Sequence, residues 1–215
     1  MVMIDRLRQR VARDGAQPLF IHYDGDTRIE LSATTFVNWV DKTANLLENL
    51  GLEPGDLVSL PLATSHPGHW VTSVWVVACW QRGCRVVPES DTAAELTVIG
   101  PDGQPSGQTV ACSLHPLGRG FETPPAGCID YAEVLAEPDV HVALDPDPGD
   151  DAWPGVTFAD LEGISPREDT ALFVDPEPGF RTVTDLLVAP ILGGGATVVA
   201  TGVSDVALIR AQERL

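Results

Sequence analysis

Apolar positions along the chain alternate between helical and strand spacings, and each change of period marks an element. Ile4, Leu7 and Val11 stand three and four apart, which predicts a short amphipathic helix over 3–13. The apolar stretches 18–23 and 28–31 flank Asp24-Gly25-Asp26, a hairpin signal because glycine supplies the positive φ of a tight turn. Phe36, Trp39, Val40, Thr43, Leu47 and Leu50 then mark a helix over 34–50, capped by Thr34 or Thr35 and ended by Gly51. A short strand over 57–60 follows. The next helix, over 67–82, accommodates Pro67 in its first turn and is apolar on most of its circumference, so protein should cover both its sides.

Further strands are expected over 84–87, 96–99 and 109–114. From 116 to 166 the periodicity fades, and 137–151 is acidic and proline-rich, the expected mobile segment. Order returns with a strand over 170–174, a helix over 183–192, the glycines 193–195, a strand over 197–200 and a closing helix over 205–214. This alternation predicts an α/β fold: a mostly parallel, covered sheet with flanking helices and right-handed crossovers, plus an N-terminal hairpin. The expected organisation is a single domain, 1–215, with subdomains of about 1–115 and 166–215 joined by the Pro/acidic segment 116–165.

Composition narrows the function classes. Asp and Glu number 31 against 13 Lys and Arg, a net charge of −18. Nucleic acid and anionic membrane surfaces need a clustered basic face, so neither is an expected partner. The N-terminus lacks the apolar core of a secretory signal, and no window approaches a membrane span; a cytoplasmic protein is expected. Cys79, Cys84, Cys112 and Cys128 match no zinc spacing and are expected to be buried free thiols. Lys42 is the only lysine.

Three stretches, in order, resemble the AMP-dependent synthetase/ligase superfamily, the adenylate-forming acyl-CoA ligases. The 34–50 helix runs into Leu50-Gly-Leu-Glu-Pro-Gly-Asp-Leu-Val58, similar to the family's Leu-Gly-x-x-Pro-Gly-Asp-x-Val. The apolar helix followed by Arg82-Gly-Cys-Arg-Val-Val-Pro88 resembles its Ala-Gly-x-x-x-x-Pro passage. Leu186-Leu-Val-Ala-Pro-Ile-Leu-Gly-Gly-Gly-Ala-Thr-Val-Val199 is similar to its Leu-Leu-x-x-Leu-x-x-Gly-Gly-x-x-Val-Val segment. Ser113-Leu-His-Pro-Leu-Gly-Arg-Gly-Phe121 and Ile129-Asp-Tyr-Ala-Glu133 look most like short, uncharacterised bacterial proteins that keep only the N-terminal part of that architecture. The resemblance covers roughly 17–100 and 170–214. Its nearest subgroup implies a fold and no reaction.

The resemblance also says what adenylation requires: a Ser/Thr/Gly-rich phosphate loop ending in Pro-Lys, between the matched halves. That interval here is proline-rich and acidic, and Lys42 lies on a helix far from it. The family's adenine, magnesium and ribose segments and its lid are expected to be missing beyond Leu215. Charge on a transferring phosphoryl group must be met by cations and N–H donors, so autonomous ligase activity is not expected.

Other candidate chemistry reads blandly. Gly193-Gly-Gly195 follows a helix and precedes a strand, so it is a helix stop and not a phosphate cradle. Asp145-Pro-Asp-Pro-Gly-Asp-Asp151 lacks the spacing and closing glutamate of a calcium loop. His66 and His69, three apart, lack a third metal ligand, and His22, His115 and His141 are scattered. Ser65 lacks the surround of a hydrolase elbow. Trp70, Trp75 and Trp80 spread around their helix as core contacts, with at least one expected to be exposed for a partner. No catalytic residue, metal ligand or cofactor is therefore expected, and ligand-binding residues stay open.

Three functions remain. The leading one is a non-catalytic interaction or scaffold module that self-associates through the apolar helix 67–82. The second is a small-molecule module with a pocket for an acyl or nucleotide-like ligand at the strand C-termini. The third is an enzyme of unrelated hydrolytic chemistry using Ser65, His66 and neighbouring acids.

Overall fold

Two sheets organise the chain in a computed structural model that describes residues 2–144 and 146–215. Met1 and Asp145, the first residue of the acidic run, lie outside the described residues. One sheet has five parallel strands in the order β4-β3-β5-β6-β7: β3 (Leu57–Ser59), β4 (Arg85–Val87), β5 (Leu96–Ile99), β6 (Thr109–Ala111) and β7 (Ile129–Asp130). The other has the order β10-β11-β1-β2, from β1 (Pro18–Asp24), β2 (Thr27–Ser32), β10 (Thr170–Val174) and β11 (Ala196–Thr201). Its first three strands are parallel, and β2 is antiparallel to β1. A two-stranded ribbon pairs β8 (Asp151–Trp153) with β9 (Val156–Thr157).

The mixed α/β fold, with a mostly parallel sheet flanked by helices and an N-terminal hairpin, matches the expectation. The hairpin is not an appendage, however. β1 pairs with β11 from Phe20↔Thr197 to Asp24↔Thr201, so this sheet draws on both sides of the 116–165 segment. The sheets therefore do not follow the expected division at 115 and 166.

Helix α1 (Val2–Asp14) buries Met3, Ile4 and Leu7. In α2 (Ala33–Asn49) the cap is Ser32 rather than Thr34 or Thr35: its hydroxyl accepts from the Thr35 N–H at 3.1 Å. A serine in extended conformation one step before the helix satisfies an otherwise unpaired donor. The helix expected over 67–82 is two elements. A single turn, α3 (Leu62–Ser65), ends at His66, and α4 (Trp70–Gln81) starts after His69, whose ring caps it. Pro67 and Gly68 form the corner between them.

Every residue of α4 is buried. One apolar cluster joins its Val74, Trp75 and Cys79 to Val58, Val98 and Val110 of the parallel sheet and to Phe20 and Val199 of the mixed sheet. The expectation that helix 67–82 offers a surface for a second copy is thus overturned. Trp70 is 1% exposed, and Trp75 and Trp80 are fully buried. The absence of charge between Trp70 and Gln81 reflects cover on all sides within this chain.

The opposite face of the mixed sheet follows the period-2 rule. Ile21, Tyr23, Val198 and Ala200 face Ile209 of α8 (Val206–Glu213), capped by Asp205. The aperiodic interval 116–166 supplies β7, a 3-10 turn at Tyr131–Ala136 that buries Tyr131 and Val134, the β8–β9 ribbon and α5 (Phe158–Glu162). The acidic stretch 137–151 lies between that turn and the ribbon, and among its described residues only Asp151, the first of β8, belongs to a helix or strand. Arg8 and Gln81 both donate to the buried Asp41 carboxylate, and Arg8 also reaches the His141 carbonyl, which ties residue 141 to α1 and α2.

After β10, a continuous helix runs from α6 (Phe180–Val183) through a π turn (Thr184–Val188) into α7 (Ala189–Gly193). Gly194 ends it in the left-handed conformation, φ +87°. No helix among the described residues is long and apolar enough to cross a membrane.

Candidate functional site

The three parallel strands β10, β11 and β1 end side by side, where open α/β sheets place ligands. A cavity of about 260 Å3 opens there. His22 and Asp24 come from the end of β1, Thr201 from β11, and Asp175, Pro176 and Glu177 from the turn after β10. The α3–α4 corner, Ser65 to His69, forms the facing wall. Glycine at 68 lets this corner sit close, since a Cβ there would lie 2.6 Å from Pro176 Cγ and 2.8 Å from Val199 Cγ1. His22, Gly68 and His69 are buried, whereas Asp24, Ser65, Asp175, Glu177 and Thr201 are exposed. His22 and His69 therefore lie deep in the cavity, His66 is half-buried on its wall, and the carboxylates stand at its rim.

Backbone strain marks the rim. Asp175 holds φ +41°, uncommon for a residue with a side chain. Its carboxylate accepts from the Gly202 N–H at 2.9 Å, and its own N–H donates to the Ala200 carbonyl at 2.9 Å. These two bonds pin the turn to the end of β11. Strained residues of this kind concentrate at functional sites, which adds weight to the location.

Burial dominates the electrostatics. The His22 and His69 rings meet edge to face, 4.8 Å between centroids. His69 Nδ1 accepts from the Val71 N–H at 3.1 Å, as its capping role requires. Burial, helped by repulsion from His22 and His66, pushes the His69 pKa down to about 3. Burial likewise lowers His22 to about 4 against a partial offset from Asp24, and lowers His66 from its ordinary value. All three favour the uncharged form at neutral pH.

A pH dependence follows. Below about pH 6.5 an unfolded chain protonates residue 22, while the folded chain resists until about pH 4. The unfolded state then binds more protons, so stability falls as pH drops through this window, by at most about 1.4 kcal/mol per pH unit from this residue. In urea denaturation between pH 6.5 and 4.5, His22→Gln is expected to lose stability less steeply than the parent. Equal slopes would contradict the assignment.

The structure separates some residues that the sequence juxtaposes. His66 and His69 do not share a helix face, because one ends α3 and the other begins α4. His66 Nδ1 lies 2.9 Å from Ser65 Oγ, but that hydroxyl also reaches the Pro61 carbonyl at 3.2 Å. Among the described residues no carboxylate hydrogen-bonds His66, so the orienting member of a hydrolytic triad is missing. Lys42 donates to the carbonyls of Leu135 and Glu137, a structural tie away from the cavity. His141 and His115 are committed locally, to Asn45 and to the Leu117 N–H.

Asp147 of the acidic run accepts from the Gly149 N–H within its own turn. Among the described residues, no three His, Cys, Asp or Glu side chains converge as a metal site. Cys79, Cys84 and Cys112 are buried free thiols, with burial raising Cys84 to about 12; Cys128 is half-buried. What sequence reasoning missed is the meeting of His22 with His69 and of Asp24 with Asp175 and Glu177. The only local signal is that His22 lies near the end of a predicted strand, that Asp24, Asp175 and Glu177 follow predicted strands, and that His69 lies in the first turn of a predicted helix.

No protein-family model matches the chain. A TIGR03089 family protein of Mycobacterium tuberculosis is 30% identical over 149 residues, 63% of this chain and 60% of that protein, so the chain spans less than two thirds of its relative. Among solved structures, an acyl-CoA synthetase of Brucella canis superposes with a TM-score of 0.76 at 15% identity, over 99% of this chain and 45% of the other. MatB of Rhodopseudomonas palustris gives 0.69 in its apo form and 0.67 with ATP bound, at 14% and 16% identity, each over 99% of this chain and 47% of the other. The likeness extends over nearly all of this chain and slightly less than half of each enzyme. The chain thus has the fold of the adenylate-forming acyl-CoA synthetases and is related in sequence to a TIGR03089 family protein.

Proposed function

We propose that this chain is a small-molecule binding module whose site is the cavity at the ends of β10, β11 and β1, and that nucleoside triphosphates are not its ligand. The observation that carries the reading is the lining itself: among the described residues, three histidines and three carboxylates, with no lysine or arginine. A triphosphate needs cations and converging N–H groups. Here the turn after β10 is Asp175-Pro-Glu-Pro-Gly179, and its acidic side chains face the opening. The fold is one that holds ATP in MatB, which supports a ligand site in this architecture without supporting the same ligand. Self-association has lost the surface invoked for it, since α4 is covered within the chain.

The test is an amide-resolved NMR titration of the 15N-labelled chain with a mixture of small uncharged fragments, then with ATP, AMP and coenzyme A. Fragment-induced shifts are expected to cluster at Gly68, His69, Glu177 and Thr201, with the three phosphate compounds leaving these amides unmoved. Shifts there from ATP at micromolar concentration, or no fragment response at the cavity, would overturn the reading.

A further inference from the structure

Taking the cavity as a binding site, we propose that it receives a small organic cation: an amine whose charge sits among the rim carboxylates and whose far end carries a hydroxyl or similar group for His22. Two independent observations carry this. At the rim, Asp24, Asp175 and Glu177 bring three negative charges together, and among the described residues no lysine or arginine lines the cavity. Deep in it, His22 is 2% exposed and its Nδ1 has no hydrogen-bond partner among the described residues. A buried nitrogen left unpaired is costly, and a ligand group that satisfies it gains correspondingly.

Alternatives fit less well. An inorganic cation needs ligands converging on one point, and no such set forms among the described residues. An anion meets the rim charges, with no guanidinium or ammonium group among the described lining residues to offset them. The cavity, at about 260 Å3, is below the usual 300–1,000 Å3 of drug-sized sites, which favours a compact ligand. An amine spreads its donors over a rim of separate carboxylates, and its body can lie against the His22 and His69 rings.

Three probes of one shape and different charge test this by NMR titration: 4-(aminomethyl)phenol, 4-(hydroxymethyl)phenol and 4-hydroxybenzoate. The amine is expected to bind at the cavity amides about tenfold more tightly than the neutral alcohol, with the carboxylate undetectable. Benzylamine, which lacks the phenol group, is expected to bind about tenfold more weakly than 4-(aminomethyl)phenol. Asp24→Asn and Glu177→Gln, isosteric changes at exposed positions, should each weaken the amine about fivefold and leave the alcohol unchanged. Equal binding of amine and alcohol, or tighter binding of the carboxylate, would leave the site standing and refute the cation. Silence from all the probes at the cavity refutes the cation too. If the uncharged fragments are silent there as well, the site falls with it.

Discussion

Gly193→Ala is expected to cost the fold about 3 kcal/mol or more, a fall of roughly 6–12 °C in Tm for a domain of this size. The reason is contact, not conformation. A Cβ at residue 193 would lie 2.3 Å from the Arg167 carbonyl oxygen and 2.4 and 2.5 Å from its carbonyl carbon and amide nitrogen. All three are backbone atoms, fixed by hydrogen bonds from Arg167 N–H to the Ala189 carbonyl and from Gly195 N–H to the Arg167 carbonyl. Relief would require moving the whole 167–169 strand entry.

Gly194 provides the control. Its φ of +87° calls for glycine, but the nearest atom to an added Cβ is the end of a flexible arginine at 3.5 Å. Gly194→Ala should therefore cost only about 1 kcal/mol. Chemical denaturation of both variants checks the ordering, and the reverse order would refute the packing argument.

This triplet shows how far the chain can be read without its structure. The left-handed helix stop was legible from a helical period followed by glycine and a strand. Why the flanking positions are also glycine was not, because the segment that presses on them lies some twenty-five residues earlier in the chain. The same limit governs the whole molecule. Helical and strand periods locate most elements outside 116–166, since each is a local consequence of which side is buried, and miss the short ones within that interval. Pro67 misled because a proline fits a first helical turn and a tight corner equally well.

Pairing across the chain is another matter. Nothing local says that β1 sits between β2 and β11. Only that arrangement carries His22 to His69 and Asp24 to Asp175. Read along the sequence, His22 is a scattered histidine; in the sheet it is the deep wall of a cavity.

Trp80→Ala is the second large effect, an expected loss of about 3–5 kcal/mol. The side chain is fully buried, and its Nε1–H donates to the Ala152 carbonyl at 2.8 Å, joining α4 to the β8–β9 ribbon. Truncation leaves both a void and an unpaired carbonyl, in a helix with no solvent face to collapse toward. Trp80→Phe keeps most of the volume and loses the bond, so about 1–3 kcal/mol is expected. Urea denaturation monitored by far-UV circular dichroism reads both. A loss under 1 kcal/mol for Trp80→Ala would mean that this face of α4 is open, and would restore it as a surface for self-association.

The place of β1 in the mixed sheet also sets a timetable for folding. Phe20 must pair with Thr197, so the strand emerges long before its parallel neighbour. At roughly 5–20 residues per second of synthesis, that wait lasts roughly 9–35 s. Throughout it the β1–β2 hairpin presents one unpaired edge bearing Phe20 and Ile21, a template for pairing with other nascent chains. Loop closure over so long a span is slow as well as late. The sheet that shapes the cavity therefore cannot close until β11 has emerged, and the period before it closes is when aggregation competes with folding.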